Sequence, residues 1–157
     1  MNIKNLNNWA ISQEMFQWIR KNITEGSTIL EFGSGTGTVE LTTHYEVYSV
    51  EQNEKWCGLA SKSNYIHAPI VNGWYHEDTV FNNIPLKYDL LLVDGPAGTG
   101  NREGIAKHWD KLDLSVPIIM DDTHRIRELK FAQQTAKLLD KTLEIIPGHQ
   151  KSFALIL

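Results

Sequence analysis

The sequence predicts an α/β domain built on a doubly wound, mostly parallel seven-stranded sheet that ends in a C-terminal antiparallel hairpin. Three observations carry this. Seven short runs rich in apolar residues, several of them β-branched, recur along the chain, and most end in Gly, Asp, Glu or Pro. Spacers of crossover length separate most of them, and strands joined in that way lie parallel in a sheet covered on both faces. The last two runs, in "TLEIIPGHQKSFALIL", are joined by a Pro-Gly turn too short for a crossover, so they pair antiparallel.

The elements follow in order. Residues 1–24 form a leading helix, with Trp9, Phe16, Ile19 and Ile23 on one stripe before "TEGS" ends it. Residues 25–157 form the seven-stranded core, with strands in "STILEFGSG", "YEVYSVEQ", "YIHAPIV", "KYDLLLVDG", "VPIIMDD", "TLEII" and "SFALIL". Between most of these lie helical or looped segments: "TVELTTH", "NEKWCGLASKS", "HEDTVFNNI", "GIAKHWDKL" and "RIRELKFAQQTAKLLD". In the last, Ile126, Leu129, Ala132, Ala136 and Leu139 share a helical face. A chain of 157 residues gives one domain with one well-buried core.

Composition narrows the function. With 41% apolar and 22% charged residues the chain is an ordinary globule, not a disordered or low-complexity one. A net charge of -4 provides no basic footprint, which disfavours nucleic acid as a partner. The single cysteine, Cys57, excludes an internal disulfide, and its neighbours "KWCGLA" read as a helix face. No stretch of 18 apolar residues and no signal-peptide pattern occurs, so no membrane role and a cytoplasmic location are expected.

In open sheets of this kind ligands sit beyond the carboxyl ends of the strands, so chemistry is sought there. Gly33, Gly35 and Gly37 follow the first strand directly, where glycine lets the backbone turn and approach a ligand closely. Glu51 ends the second strand, where a carboxylate accepts both hydroxyls of a ribose; the alternative is that it caps a helix in "NEKWCGLASKS". "GPAGTGNR" imitates a phosphate loop, but Asn101 and Arg102 replace the lysine and hydroxyl residue that such a loop needs. It reads better as a loop over the substrate side, with Asp94 at its root and Arg102 available for an anionic group.

Asp94 ends the fourth strand and Asp121 and Asp122 end the fifth, which brings three carboxylates to one rim. Two such charges about 4 Å apart repel by roughly 4 kcal/mol at an effective dielectric of about 20. A divalent cation such as Mg²⁺ bound by Asp94, Asp121 and Asp122 relieves this; the alternative is that Asp122 or Thr123 only caps the following helix. His124 is the candidate general base by position, with Asp94 as the other candidate.

"ILEFGSGTG" followed by "VYSVEQ" resembles the S-adenosylmethionine site of class I (Rossmann-like) methyltransferases over about residues 25–157. The resemblance implies that Gly33, Gly35 and Gly37 pass under the methionine and ribose, that Glu31 sits near the amino-acid end, and that Glu51 holds the ribose. It suggests Asn72 and Trp74 near the adenine, although Gln52 stands where an apolar residue is usual. The spacing from Asp94 to Asp121 and Asp122 is similar to that of metal-dependent macrocin-type and catechol-type O-methyltransferases. These features imply methyl transfer from S-adenosylmethionine to a hydroxyl of a small molecule or sugar, assisted by a divalent metal. The alternatives are metal-independent transfer to oxygen or nitrogen, and a non-catalytic S-adenosylmethionine-binding module. With almost no inserted lid, the acceptor wall is expected from the N-terminal helix, the 95–104 loop or another subunit of a homo-oligomer.

Overall fold

The structure, a computed structural model, describes residues 11–157. In chain order the elements are α1 (Gln13–Asn22), β1 (Thr28–Phe32), α2 (Thr36–Leu41), β2 (Glu46–Glu51), β3 (Asn64–His67), β4 (Ile70–Val71), β5 (Trp74–Tyr75) and α3 (Glu77–Phe81). They continue with β6 (Leu90–Val93), a 3-10 helix (Arg102–Lys111), β7 (Ile118–Met120), α4 (Ile126–Leu138), β8 (Leu143–Pro147) and β9 (Ser152–Ile156).

Seven strands form one sheet in the order β3-β2-β1-β6-β7-β9-β8. The first five pair parallel, while β9 runs antiparallel between β7 and β8. This is the architecture that the alternation of strands and crossovers predicts. The chain reverses its winding direction between β1 and β6, and there the backbones touch: a Cβ on Gly33 would lie 2.7 Å from the Asp94 carbonyl oxygen. Gly33 also holds a φ of 93°, so glycine is required twice over.

Strand periodicity sorts the core into two layers. Ile29, Leu90, Leu92, Ile119 and Leu155 face one side, where Met15, Ile19 and Ile23 of the leading helix cover them. Leu30, Phe32, Leu91, Val93 and Ile118 face the other, beneath Trp109, Phe131 and Ala132. The helix α1 begins at Ser12, whose hydroxyl accepts the Met15 N–H at 3.2 Å. Ile19 and Ile23 are buried as expected and Phe16 packs at the margin, while Trp9 lies outside the described residues.

Three local expectations are corrected. "NEKWCGLASKS" forms successive turns instead of a helix, because the Asn53 side chain takes the Lys55 N–H and Gly58 adopts a φ of 91°. "YIHAPIV" splits after His67, and Ile70–Val71 instead pairs with Trp74–Tyr75 through Asn72-Gly73, whose φ values of 53° and 84° suit a tight hairpin turn. On α4 the expected face holds at Ala132 and Ala136, which are buried, and at Leu139, which packs against the core, but Ile126 is 66% exposed and Phe131 and Thr135 are buried instead. The Phe131 ring lies nearly parallel to that of Trp109, with 6.5 Å between centroids.

Leu92 is wholly buried in the central strand pair, whereas Leu86 is 94% exposed in the preceding loop. Leu92→Ala is expected to cost about 2 to 5 kcal/mol in urea unfolding, and Leu86→Ala less than about 0.5 kcal/mol.

Candidate functional site

A cavity of about 670 Å³ opens beyond the carboxyl ends of the parallel strands, a size that suits a small ligand. Gly33, Ser34, Glu51, Gln52 and Trp56 line one part; Asp94, Arg102, Asp122 and Lys151 line another. The first group belongs to the turns after β1 and β2. The second comes from the ends of β6 and β7, the 3-10 helix and the turn between β8 and β9.

Glu51 is 3% exposed and pinned at both oxygens: Oε2 accepts the Ser34 N–H at 2.9 Å and Oε1 the Asn53 N–H at 2.7 Å. Each carboxylate oxygen retains acceptor capacity, so the group is held rigidly and remains able to take two hydroxyls. No helix follows for Glu51 to cap. Glu31 has a different setting, for it lies behind the cavity wall and its Oε1 accepts from the hydroxyls of Thr38 and Ser49, each at 2.6 Å. Burial pushes its pKa from the ordinary 4.5 up to about 7, against the opposing hydrogen bonds of Ser49 and Thr38.

The three carboxylates at the ends of β6 and β7 offer oxygens within 4.8 Å of one another. Cations from the same chain hold them. Arg102 Nη2 donates to Asp94 Oδ1 at 3.1 Å and to Asp122 Oδ2 at 2.7 Å, while Nη1 reaches the Asp121 carbonyl at 3.3 Å. Lys151 Nζ donates to Asp121 Oδ2 at 2.5 Å, and Asp121 Oδ1 accepts the Asp122 N–H at 2.7 Å. Asp122 adopts a φ of 61°, a left-handed conformation that aspartate tolerates better than most residues.

Burial, and then the Asp121 charge, push the Asp94 carboxyl well above its usual range. Burial also raises Asp121 despite the Lys151 ammonium beside it. At Asp122 burial acts upward, but Arg102 prevails and the carboxyl stays below its usual range.

The residues singled out from sequence do not all meet. Gly33, Glu51, Asp94 and Asp122 line the cavity, and Asp121 is bonded to Lys151 at its edge. Gly35 begins α2, and Gly37 packs beneath Ile11. Asn72 is exposed at its hairpin turn; Trp74 is buried, with its ring stacked 4.6 Å from that of His108. His124 is exposed between β7 and α4 and is not part of the cavity lining. The residue before α4 is Arg125, with no side-chain cap from Asp122 or Thr123. Trp56 and Lys151 escaped the sequence reading, whereas Pro96 and Ala97 belong to the 95–104 loop that it placed over the site; Trp56, five residues after Glu51, carried a usable signal as an aromatic just beyond an acid at a strand end.

No protein-family profile and no curated protein matches the sequence. Solved structures do match. A methyltransferase from Pyrococcus furiosus aligns at TM-score 0.61 and 15% identity over 91% of this chain and 80% of that one. An rRNA methylase from Streptococcus thermophilus aligns at TM-score 0.62 and 14% identity over 91% and 92%. The MycE methyltransferase of mycinamycin biosynthesis, in complex with Mg and SAH, aligns at TM-score 0.55 and 13% identity over 91% of this chain and 44% of that one. At these identities the shared property is the fold.

The raised pKa of Glu31 has a measurable consequence. Between about pH 4.5 and 7 the folded protein retains a proton that the unfolded chain releases, so stability falls as pH rises through that window and levels off above it. Glu31→Gln is expected to reduce the loss of unfolding free energy between pH 5 and pH 8 by about 2 to 3 kcal/mol, measured by urea titration.

Proposed function

We propose that this protein is an S-adenosylmethionine-dependent methyltransferase acting on a hydroxyl group of a small molecule or sugar. The observation that carries the reading is Glu51, a buried carboxylate fixed at the end of β2 with acceptor capacity toward the cavity, next to the Gly33–Ser34 turn. Glu51 would hold the ribose, Trp56 offers an aromatic face beside it, and the fold is one that solved methyltransferases share. S-adenosylmethionine supplies the electrophilic methyl group.

The acceptor side is the part of the cavity bounded by Asp94, Arg102, Asp122 and Lys151. An acceptor hydroxyl there must lose a proton as its oxygen is methylated, and Asp94, which lines this part of the cavity, is the group assigned to take it. Its carboxyl is held well above the usual range by burial and by Asp121, which makes it a stronger base than an exposed aspartate. His124, exposed outside the cavity lining, is less suited to the role of base. The sequence lacks the "[DNS]PP[YF]" pattern that the resemblance would lead one to expect of a methyltransferase acting on amino groups of DNA bases, which agrees with an oxygen acceptor.

A divalent ion does not fit the acid trio as it stands, because Arg102 and Lys151 already bond one oxygen of each of its three carboxylates and would have to be displaced. The metal-independent form of the reaction is therefore the one that we favour.

Calorimetric titration with S-adenosylhomocysteine tests the cofactor side. Removing a charged hydrogen-bond partner costs roughly 1.5 to 3 kcal/mol, so Glu51→Gln is expected to weaken binding about tenfold or more. Glu51→Ala removes the partner of two backbone N–H groups as well, and its melting temperature should fall alongside its affinity. Undiminished binding by a folded Glu51→Gln protein would defeat the assignment.

A further inference from the structure

The acid trio contains two cations that an ion-binding trio has no use for. Arg102 lies between Asp94 and Asp122, its Nη2 shared at 3.1 and 2.7 Å, and its side chain is 13% exposed. Lys151 reaches Asp121 at 2.5 Å and Asp122 at 3.8 Å, with 15% of its side chain exposed. Arg125 adds a third, more exposed contact to Asp122 at 3.4 Å. Three carboxylates thus face two enclosed positive charges and one peripheral one. A doubly charged ion entering the trio would have to displace both enclosed cations from the carboxylate oxygens that they hold.

We infer that Arg102 and Lys151 are the resident counter-charges of Asp94, Asp121 and Asp122, filling the place of a divalent cation so that this rim is neutralised by the chain itself. The geometry is specific. Arg102 presents one nitrogen to two carboxylates and another to the Asp121 carbonyl, a fork that a single ion would otherwise supply. Lys151 takes the one carboxylate oxygen of Asp121 that the Asp122 N–H leaves open. Each cation arrives from a different segment, the 3-10 helix and the β8–β9 turn, so the trio ties both to the strand ends. The inference stands apart from methyl transfer, since it needs neither cofactor nor acceptor.

The test uses the purified protein with MgCl₂, MnCl₂ or CaCl₂ alone. Wild-type protein is expected to give no saturable heat in calorimetry and the same melting temperature in chelator as in millimolar ion. Arg102→Met/Lys151→Met exposes the three carboxylates and is expected to gain a saturable isotherm, at least roughly tenfold tighter than any wild-type signal, with a melting temperature that rises with the ion. Should the double variant fail to fold, the single variants Arg102→Met and Lys151→Met are expected to show a smaller ion-dependent rise in melting temperature. Potassium chloride at equal ionic strength should not reproduce it. Saturable ion binding by the wild type overturns the inference, and so do folded variants that do not respond to the ions. Because no cofactor enters these titrations, their outcome is independent of the S-adenosylhomocysteine experiment.

Discussion

Charge balance at the carboxyl ends of β6 and β7 is the constraint on which the rest of the site depends. Parallel strands deliver Asp94, Asp121 and Asp122 to one place, with oxygens within 4.8 Å of each other. Left alone, such a trio would oppose the burial of the strand ends, because each pair of charges at about 4 Å costs roughly 4 kcal/mol at an effective dielectric of about 20. Arg102 and Lys151 convert that opposition into cross-links. Enclosed pairs of this kind contribute little net stability when intact, yet removing one partner is costly, so the arrangement fixes position more than it adds free energy. It anchors the start of the 3-10 helix and the β8–β9 turn to the sheet, and both segments contribute to the cavity lining.

A second constraint sits one strand away. Gly33 and Asp94 approach so closely that no Cβ fits between them, and this contact sets the cavity floor where the winding reverses. Two buried glutamates flank the crossing, yet their settings differ. Glu31 is closed off by Thr38 and Ser49 and carries a raised pKa, a structural acid tying β1 to α2 and β2. Glu51 is held by backbone N–H groups, which satisfy part of its acceptor capacity and leave the rest for a ligand. Nearby carboxylates of the same type thereby acquire different capabilities from their hydrogen-bond partners alone.

The sheet was legible because its signals are local: apolar runs that end in Gly or Asp, and a final turn too short for a crossover. Elements whose identity depends on one residue's conformation were not. Gly58 and the Asn53 side chain break the helix expected in "NEKWCGLASKS", and Asn72-Gly73 makes a hairpin from what reads as a single strand, although "NG" between apolar residues is a strong turn signal. On α4 the periodic face held at Ala132, Ala136 and Leu139 and failed only at its first residue, Ile126, which is 66% exposed in the first turn. The acid trio could be read from strand ends, and Arg102 from its loop. Lys151 could not, since a lysine in a hairpin turn is ordinary and its role depends on long-range topology.

That topology explains why a residue near the C-terminus completes a site built at the ends of the central strands. β9 runs antiparallel to β7, so Met120 pairs with Ala154 and the Thr123 N–H reaches the Ser152 carbonyl at 2.9 Å. The beginning of β9 therefore lies where the parallel strands end. A seventh strand inserted parallel would have brought its terminus to this rim and placed the preceding turn on the far side of the sheet. Reversal of one strand puts the β8–β9 turn beside Asp121, and within that turn Lys151 is the residue next to the strand, with a side chain long enough to reach the carboxylate. The antiparallel hairpin is thus part of the site as well as the end of the sheet, because it carries a positive charge to strand ends that would otherwise hold mostly negative ones.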